Sequence, residues 1–327
     1  MIMDNTSYDL VIIGGGPIGI ACGIEAQKKD LKYVILEKGV LVNALYNFPE
    51  NMTFFSTSEL LEIGEVPFVS DRDKPTRKES LEYYRRVQET YNLNISLYTE
   101  VLKMTPKEEG YTIVTGKGDA FAKAVIVATG FYDTPRELKI PGANLPKVKY
   151  FYDSPHPYVG QKIVIIGAAN SACDVALETY YKGAEVTMVV RGAGINERTK
   201  YWIKPNIENR IKEGAIAAHF NSQVTSISKE NVTVNTLNGE IVIENDFVLA
   251  MIGYKPNYTL FKNIGLPIDD DEFRTPIFNE ETLETPLPNV FIAGVAAGGL
   301  KTSRFFIENT RIHAEMILNH LEKKLKK

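Results

Sequence analysis

Two stretches of this chain repeat one another. Residues 8–39 read YDLVIIGGGPIGIACGIEAQKKDLKYVILEKG and residues 161–192 read QKIVIIGAANSACDVALETYYKGAEVTMVVRG, and they align without a gap. Each has a β-branched apolar run, a turn of small residues, a helix-compatible stretch and a second β-branched run ending before Gly. Strand, turn, helix and strand in that order make a β-α-β unit, two parallel strands joined by a right-handed crossover. Two copies half a chain apart predict an α/β protein with two Rossmann-like dinucleotide-binding domains. The length of 327 residues agrees, at about 150 residues per domain.

A second pair of segments supports the duplication. KAVIVATGFYDTP (123–135) and DFVLAMIGYKPN (246–257) are both apolar strands followed by Gly, an aromatic residue and a nearby Pro, each downstream of one β-α-β unit. Between them Pro135, Pro141, Pro146, Pro155 and Pro157 crowd residues 131–160, the composition of a connector. Tyr254-Lys255-Pro256-Asn257 looks like the return crossing. The expectation is a discontinuous first domain, 1–130 plus 256–327, with a second domain, 131–255, inserted into it.

The turns indicate what each domain binds. Gly14-x-Gly16-x-x-Gly19 follows the strand Leu10–Ile13 directly, with Pro17 and Ile18 inside it. Gly14 permits the tight turn, Gly16 lets a pyrophosphate approach the backbone, and Gly19 allows close helix–strand packing. The helix N-terminus then offers the phosphates its free N–H groups and positive dipole end. Glu37, at the end of the second strand, can accept hydrogen bonds from ribose hydroxyls; a solvated strand-end carboxylate is the bland alternative. In the second unit Gly167, Ala169 and Ala172 take the three glycine places, and Val190 stands where Glu37 stood, followed by Arg191. Losing the acid and gaining a guanidinium is how such a site accommodates a 2′-phosphate, unless Arg191 is only a surface charge. The first site is read as holding a dinucleotide with an unmodified ribose, the second as preferring NADPH. Two such sites imply electron transfer, an FAD in the first domain accepting hydride from NADPH in the second.

Other chemistries are excluded by what the chain lacks. Its two cysteines, Cys22 and Cys173, form no CxxC pair and cannot build a disulfide framework, a zinc ribbon or a four-thiolate cluster. A net charge of −4 argues against nucleic acid as a partner. The one dense basic run, Lys323, Lys324, Lys326 and Lys327, reads as a solvated helix end. No apolar run reaches the roughly 18 residues of a membrane span, and no basic flank precedes the first apolar run, so a cytoplasmic protein is expected. His156, His219, His313 and His320 have no metal-ligand spacing. His156, in the connector, is a weak substrate-side candidate, and His313 reads as a packed or surface histidine. Trp202 reads as packing, while Arg198, Lys200 and Lys204 are candidates to supplement Arg191.

The tandem arrangement resembles the two-dinucleotide-binding-domain flavoproteins, which include the low-molecular-weight thioredoxin reductases. Within them, TFFSTSELLEIGEVPFVSDRDKPTR (53–77), LEYYRRV (81–87), VIIGAANSACDVALE, AMIGYKP, NVFIAGV and FIENTRIHAEMI are similar to the bacillithiol disulfide reductase family. The resemblance spans nearly the whole chain and implies FAD, NADPH and reduction of a low-molecular-weight thiol disulfide. It places FAD on Gly14, Gly16, Pro17, Ile18, Gly19, Glu37, Lys38, Val101, Ala128, Thr129, Gly130, Gly294 and Val295. It places NADPH on Gly167, Ala168, Ala169, Asn170, Ser171, Arg191 and Gly253. Thioredoxin reductases normally carry Asp where Val295 stands, a departure that agrees with the bacillithiol branch. A helix beginning near Ser303, with Arg304 and Phe306 in its first turn, is expected to aim its N-terminus at the flavin. The family carries a cysteine inside the glycine-rich turn, where this sequence has Ile18. Cys22 lies one helical turn deeper on the same face and is the remaining thiol candidate, although a buried, inert thiol is the expected reading.

Three readings follow. The first is an NADPH-dependent FAD oxidoreductase that passes electrons to a small disulfide or related acceptor without a protein dithiol. The second is an electron-transfer flavoprotein of the ferredoxin–NADP reductase kind or a flavin monooxygenase. The third is a flavin-based redox sensor that acts by binding a partner. A homo-oligomer with a small-molecule acceptor, and with neither nucleic acid nor membrane as partner, is expected.

Overall fold

The structure is a computed structural model and describes residues 6–325. Residues 1–5, ahead of the first apolar run, and Lys326 and Lys327 of the basic tail lie outside the described residues. The chain divides into two compact units, one ending at Thr134 and resuming at Tyr254, the other spanning Pro135–Gly253.

In the first unit β1 (Thr6–Ile13), α1 (Pro17–Lys28) and β2 (Tyr33–Leu36) form the first β-α-β unit. Its strands are parallel, with Leu10 opposite Tyr33 and Ile13 opposite Leu36. Ile18, Ile20, Cys22 and Ile24 of α1 are all buried, as befits a helix that is apolar on every side. Next come α2 (Asn43–Tyr46), α3 (Ser58–Leu61), α4 (Arg77–Tyr91), β3 (Ile95–Ser96), β4 (Val101–Lys107), β5 (Gly110–Thr115) and β6 (Gly118–Val127). β6 runs parallel to β1 along nearly its whole length, while its first half pairs antiparallel with β5.

The second unit repeats the plan. It contains β7 (Val148–Lys149), β8 (Lys162–Ile166), α5 (Asn170–Tyr181), β9 (Glu185–Val189), α6 (Lys204–Lys212) and β10 (Ala217–His219). After these come β11 (Gln223–Ile227), β12 (Asn231–Thr236), β13 (Gly239–Glu244) and β14 (Phe247–Ala250). A parallel sheet has the order β10-β9-β8-β14-β7, and β11-β12-β13 form an antiparallel meander of their own. Apolar clusters lie on both faces of each parallel sheet, which explains why β8 reads as the unbroken run KIVII rather than an alternating strand.

Back in the first unit, α7 (Tyr258–Asn263) precedes β15 (Val290–Ile292), which lies parallel to the end of β6. Two helices close the chain, α8 (Ile307–Thr310) and α9 (His313–Leu325). Ala314, Ile317, Leu318 and Leu321 give α9 a buried stripe, spaced to face α1. The helix expected from Ser303 does not form. Phe306 is extended and is the cap of the one-turn α8, its N–H donating to Asn309 Oδ1 at 2.7 Å, while Asn309 Nδ2 donates to the Arg304 carbonyl at 3.2 Å. Side-chain bonds of this kind give the backbone an alternative to the helix.

The two connectors are zipped. Lys255 N–H donates to the Thr134 carbonyl at 2.9 Å, and Arg136 N–H donates to the Gly253 carbonyl at 2.9 Å. Within the first unit the Tyr132 and Tyr254 rings lie 4.2 Å apart, and Tyr132 meets Phe48 edge-on at 4.5 Å.

Candidate functional site

In the first unit β1 sits between β2 and β6, the point where strand order reverses and a crevice opens at the carboxyl ends of a parallel sheet. The turn after β1 is held by Gly14 N–H donating to the Leu36 carbonyl and Ala128 N–H donating to the Ile13 carbonyl, each at 2.8 Å. Gly14 has φ +111°, and a Cβ on it would lie 2.5 Å from the Ala128 carbonyl oxygen; one on Gly19 would lie 1.9 Å from the Gly14 carbonyl oxygen. Neither position admits a side chain. A Cβ on Gly16, in contrast, would meet nothing within 4 Å, so the space before the turn is open. Gly16 caps α1 without a side-chain acceptor, Pro17 opens the helix, and its first turn carries no acid. The amides there remain available to an anion.

Glu37 closes the crevice on one side. Its carboxylate, 5% exposed, accepts from Gly15 N–H at 2.7 Å and from Gly39 N–H at 2.9 Å. Burial pushes its pKa above the usual carboxylate value against the pull of those two amides; Asp133 nearby raises it further and Lys38 opposes. Lys38 Nζ in turn lies 3.0 Å from Asp133 Oδ2. A pocket brings together Gly14, Glu37, Lys38, Val101, Thr129 and Gly130 of the expected residues. Its wall also includes Asp133 and, from α7 and its cap, Asn257, Thr259 and Asn263. No sequence signal pointed to α7, because it enters from beyond the inserted unit. The buried hydroxyl of Thr129 has no hydrogen-bond partner. A buried orphan of this kind calls for a ligand or a water, and beside a carboxylate and an open turn it fits the polar groups of a dinucleotide.

A second group of expected residues lies at the far ends of β6 and β15. A Cβ on Gly294, φ +75°, would come 3.2 Å from Ile18 Cγ1, and one on Gly130, φ +66°, would come 3.9 Å from Val295 Cγ2. Pro17, Ile18 and Ala128 are buried.

The second unit carries the same turn in tighter form. Gly167, φ +135°, has no room for a side chain, since its Cβ would lie 2.5 Å from the Met251 carbonyl oxygen and 3.2 Å from Ala172 Cβ. Ala169 caps α5 without a side-chain bond, and Ser171 is exposed in the first turn. The chain after β9 folds back over this end: Asn196 N–H donates to the Ala168 carbonyl at 3.0 Å and Lys200 N–H to Asn170 Oδ1 at 2.7 Å. Val190 is buried, while Arg191 and Arg198 are exposed. Lys200 and Lys204 do not supplement Arg191 as free charges. Lys200 Nζ is held 3.0 Å from Asp174 and lies over the Trp202 ring, and Lys204 Nζ is 2.7 Å from Glu197. Gly253, φ +88°, follows β14 at the connector, and His156 is exposed in a 3-10 turn.

Residues 11–294 match the family described as pyridine nucleotide-disulphide oxidoreductase. The chain belongs to that family. Among relatives, "Bacilliredoxin reductase Bdr" of Bacillus subtilis (strain 168) is 40% identical over 316 residues, 96% of this chain and 97% of that protein. Solved structures of "Bacillithiol Disulfide Reductase Bdr (YpdA)" from Staphylococcus aureus and Bacillus cereus are 39% and 38% identical. Both superpose with a TM-score of 0.95, over 98% of this chain and 99% and 100% of theirs.

In this pyridine nucleotide-disulphide oxidoreductase the two thiols sit deep. Cys22 and Cys173 are both completely buried and free. Burial pushes the Cys22 thiol well above its usual value, with Glu25 adding to the effect, and pushes Cys173 up to about 12. Neither is a thiolate near neutrality, so neither is an activated nucleophile in this conformation. Among the described residues no group of His, Cys, Asp or Glu is placed to hold a metal ion, and no helix is long and apolar enough to cross a membrane.

Proposed function

We propose that the chain is an NADPH-dependent FAD oxidoreductase of the bacillithiol disulfide reductase type, acting on a small disulfide or a related acceptor without a protein dithiol. The observation that carries this reading is the contrast between the two matched β-α-β units at the end of the second strand: a buried carboxylate, Glu37, in the first unit, and Val190 followed by the exposed Arg191 in the second. FAD, when bound, supplies the two-electron chemistry between the nicotinamide and the acceptor. Glu37 accepts from the ribose of its adenosine half, and the Gly16 and Ile18 amides at the N-terminus of α1 receive its pyrophosphate. Thr129, Gly130, Gly294 and Val295 lie toward its flavin half. Gly167 to Ser171 and the N-terminus of α5 receive the NADPH pyrophosphate, and Arg191 pairs with the 2′-phosphate. The relatives' names support a disulfide acceptor, one naming bacillithiol disulfide and another bacilliredoxin. A cytoplasmic homo-oligomer is part of the same reading.

The test is anaerobic. NADPH bleaches the bound flavin, and a small thiol disulfide or a disulfide-bearing redoxin then restores its colour much faster than buffer alone. If no member of a disulfide panel accelerates reoxidation while ferredoxin does, the electron-transfer reading replaces this one. Cys22→Ala retains both half-reactions, measured by stopped-flow absorbance, because its thiol is buried and protonated. Elution volume with light scattering tests the oligomer.

A further inference from the structure

The last amide of the β15–β6 ladder is Ala293 N–H, which donates to the Val127 carbonyl at 2.9 Å. Gly294 N–H comes next, is buried, and has left the sheet, so it needs an acceptor from elsewhere. His313, the first residue of α9, supplies it: Nδ1 accepts from Gly294 N–H at 3.2 Å. The imidazole is 5% exposed and meets the Phe305 ring edge-on at 5.4 Å. An accepting Nδ1 carries no proton, which leaves the ring's proton on Nε2. Burial, with the positive charge of Arg304 beside it, holds the His313 pKa down at about 4, so this neutral form persists through neutral pH. The same glycine is confined from the other side by Ile18 of α1. Two helices distant in sequence therefore meet at one backbone turn, the turn that carries Gly294 and Val295.

Resting on the reading of this crevice as a flavin site, we propose that His313 is a positioning residue for the flavin end, its Nδ1 fixing the Gly294 amide and with it the turn that faces Gly130. A histidine that only fills space would leave flavin binding to be set by volume. One that acts as an acceptor makes binding depend on where its replacement places an acceptor atom. Asn at 313 sets Oδ1 near the position of Nδ1; Gln carries its amide farther out; Leu carries no acceptor.

The test uses the full chain stripped of flavin and titrated with FAD, followed by fluorescence quenching and by the absorption spectrum of the bound flavin, with thermal melting of each apoprotein in parallel. The parent and His313→Asn are expected to share one dissociation constant and one spectral shape. His313→Gln and His313→Leu are expected to bind about tenfold more weakly, the size of one lost buried hydrogen bond, with altered fine structure of the bound-flavin spectrum. Equal binding by all four proteins overturns the proposal, and so does equal weakening in Asn, Gln and Leu, which marks packing alone. If His313→Leu fails to fold, the Asn and Gln pair decides the matter. A parent that binds no FAD overturns the flavin reading first, and the assignment of His313 falls with it.

Discussion

At single residues, the site depends on who satisfies whom. Glu37 accepts from two backbone amides, so Glu37→Ala does more than delete a ligand contact. It strands Gly15 N–H and Gly39 N–H, at a cost of about 1–3 kcal/mol for each donor left buried. The expected outcome is a lower melting temperature for the flavin-free protein and at least tenfold weaker FAD binding, read by thermal melts and fluorescence titration. In the second unit Arg191→Ala leaves no buried group unpaired. It is expected to raise the KM for NADPH by about ten- to a hundredfold, the weight of a charge-assisted contact, and to leave NADH kinetics unchanged. Both positions were legible in the sequence because each sits at a fixed place in a β-α-β repeat. Lys200 was not, since its partner Asp174 lies in α5 and only folding brings them together. His313 escaped for the same reason: a hydrogen bond to a glycine amide leaves no mark on spacing or periodicity.

Among the elements, α4 shows how local chemistry sets a boundary. Thr76 and Glu79 form a capping box, with Thr76 Oγ1 accepting from Glu79 N–H and Glu79 Oε2 accepting from Thr76 N–H at 2.8 Å. Ser70 Oγ also donates to Glu79, at 2.8 Å. Desolvation acts to raise the Glu79 pKa, but the bonds from Thr76, Ser70 and Asp71 outweigh it and hold the carboxyl at about 2, below its ordinary 4.5. A depressed carboxylate stabilises the fold above its unfolded pKa and loses that contribution as pH falls through the folded one. The stability gap between the parent and Glu79→Gln, measured by denaturant titration, is therefore expected to be full near about pH 6 and to shrink steadily below about pH 4. Thr76→Ala is expected to cost about 1 kcal/mol at neutral pH. The element misread from sequence was the helix placed at Ser303. Phe306 and Asn309 form a cap there, so the segment yields one turn of helix beginning at Ile307. Four residues supply little dipole; the ordered feature nearby is the Gly294 turn, whose amide donates to His313 Nδ1.

Across the whole molecule, the self-similarity of the sequence is repeated in three dimensions. Each unit has a sheet built on parallel strands, and each adds antiparallel strands before its chain returns to that sheet, β4 and β5 ahead of β6 in one and the β11-β12-β13 meander ahead of β14 in the other. The inserted unit leaves through Pro135 and Arg136 and returns through Gly253, and Arg136 N–H bonds to the Gly253 carbonyl, so its two ends meet. A fragment spanning 135–253 is expected to melt cooperatively, followed by circular dichroism, and to bind 2′,5′-ADP more tightly than 5′-AMP. Non-cooperative melting would show that the unit needs its host. The host's own ends are pinned together as well, by Lys255 N–H on the Thr134 carbonyl beside the Tyr132–Tyr254 pair. Replacing 119 residues by a short turn would thus ask the host only to close a gap that is already closed. The same closure means that one β-α-β unit sits within a turn of the other without either sheet being rethreaded, and the zipped connectors are the seam.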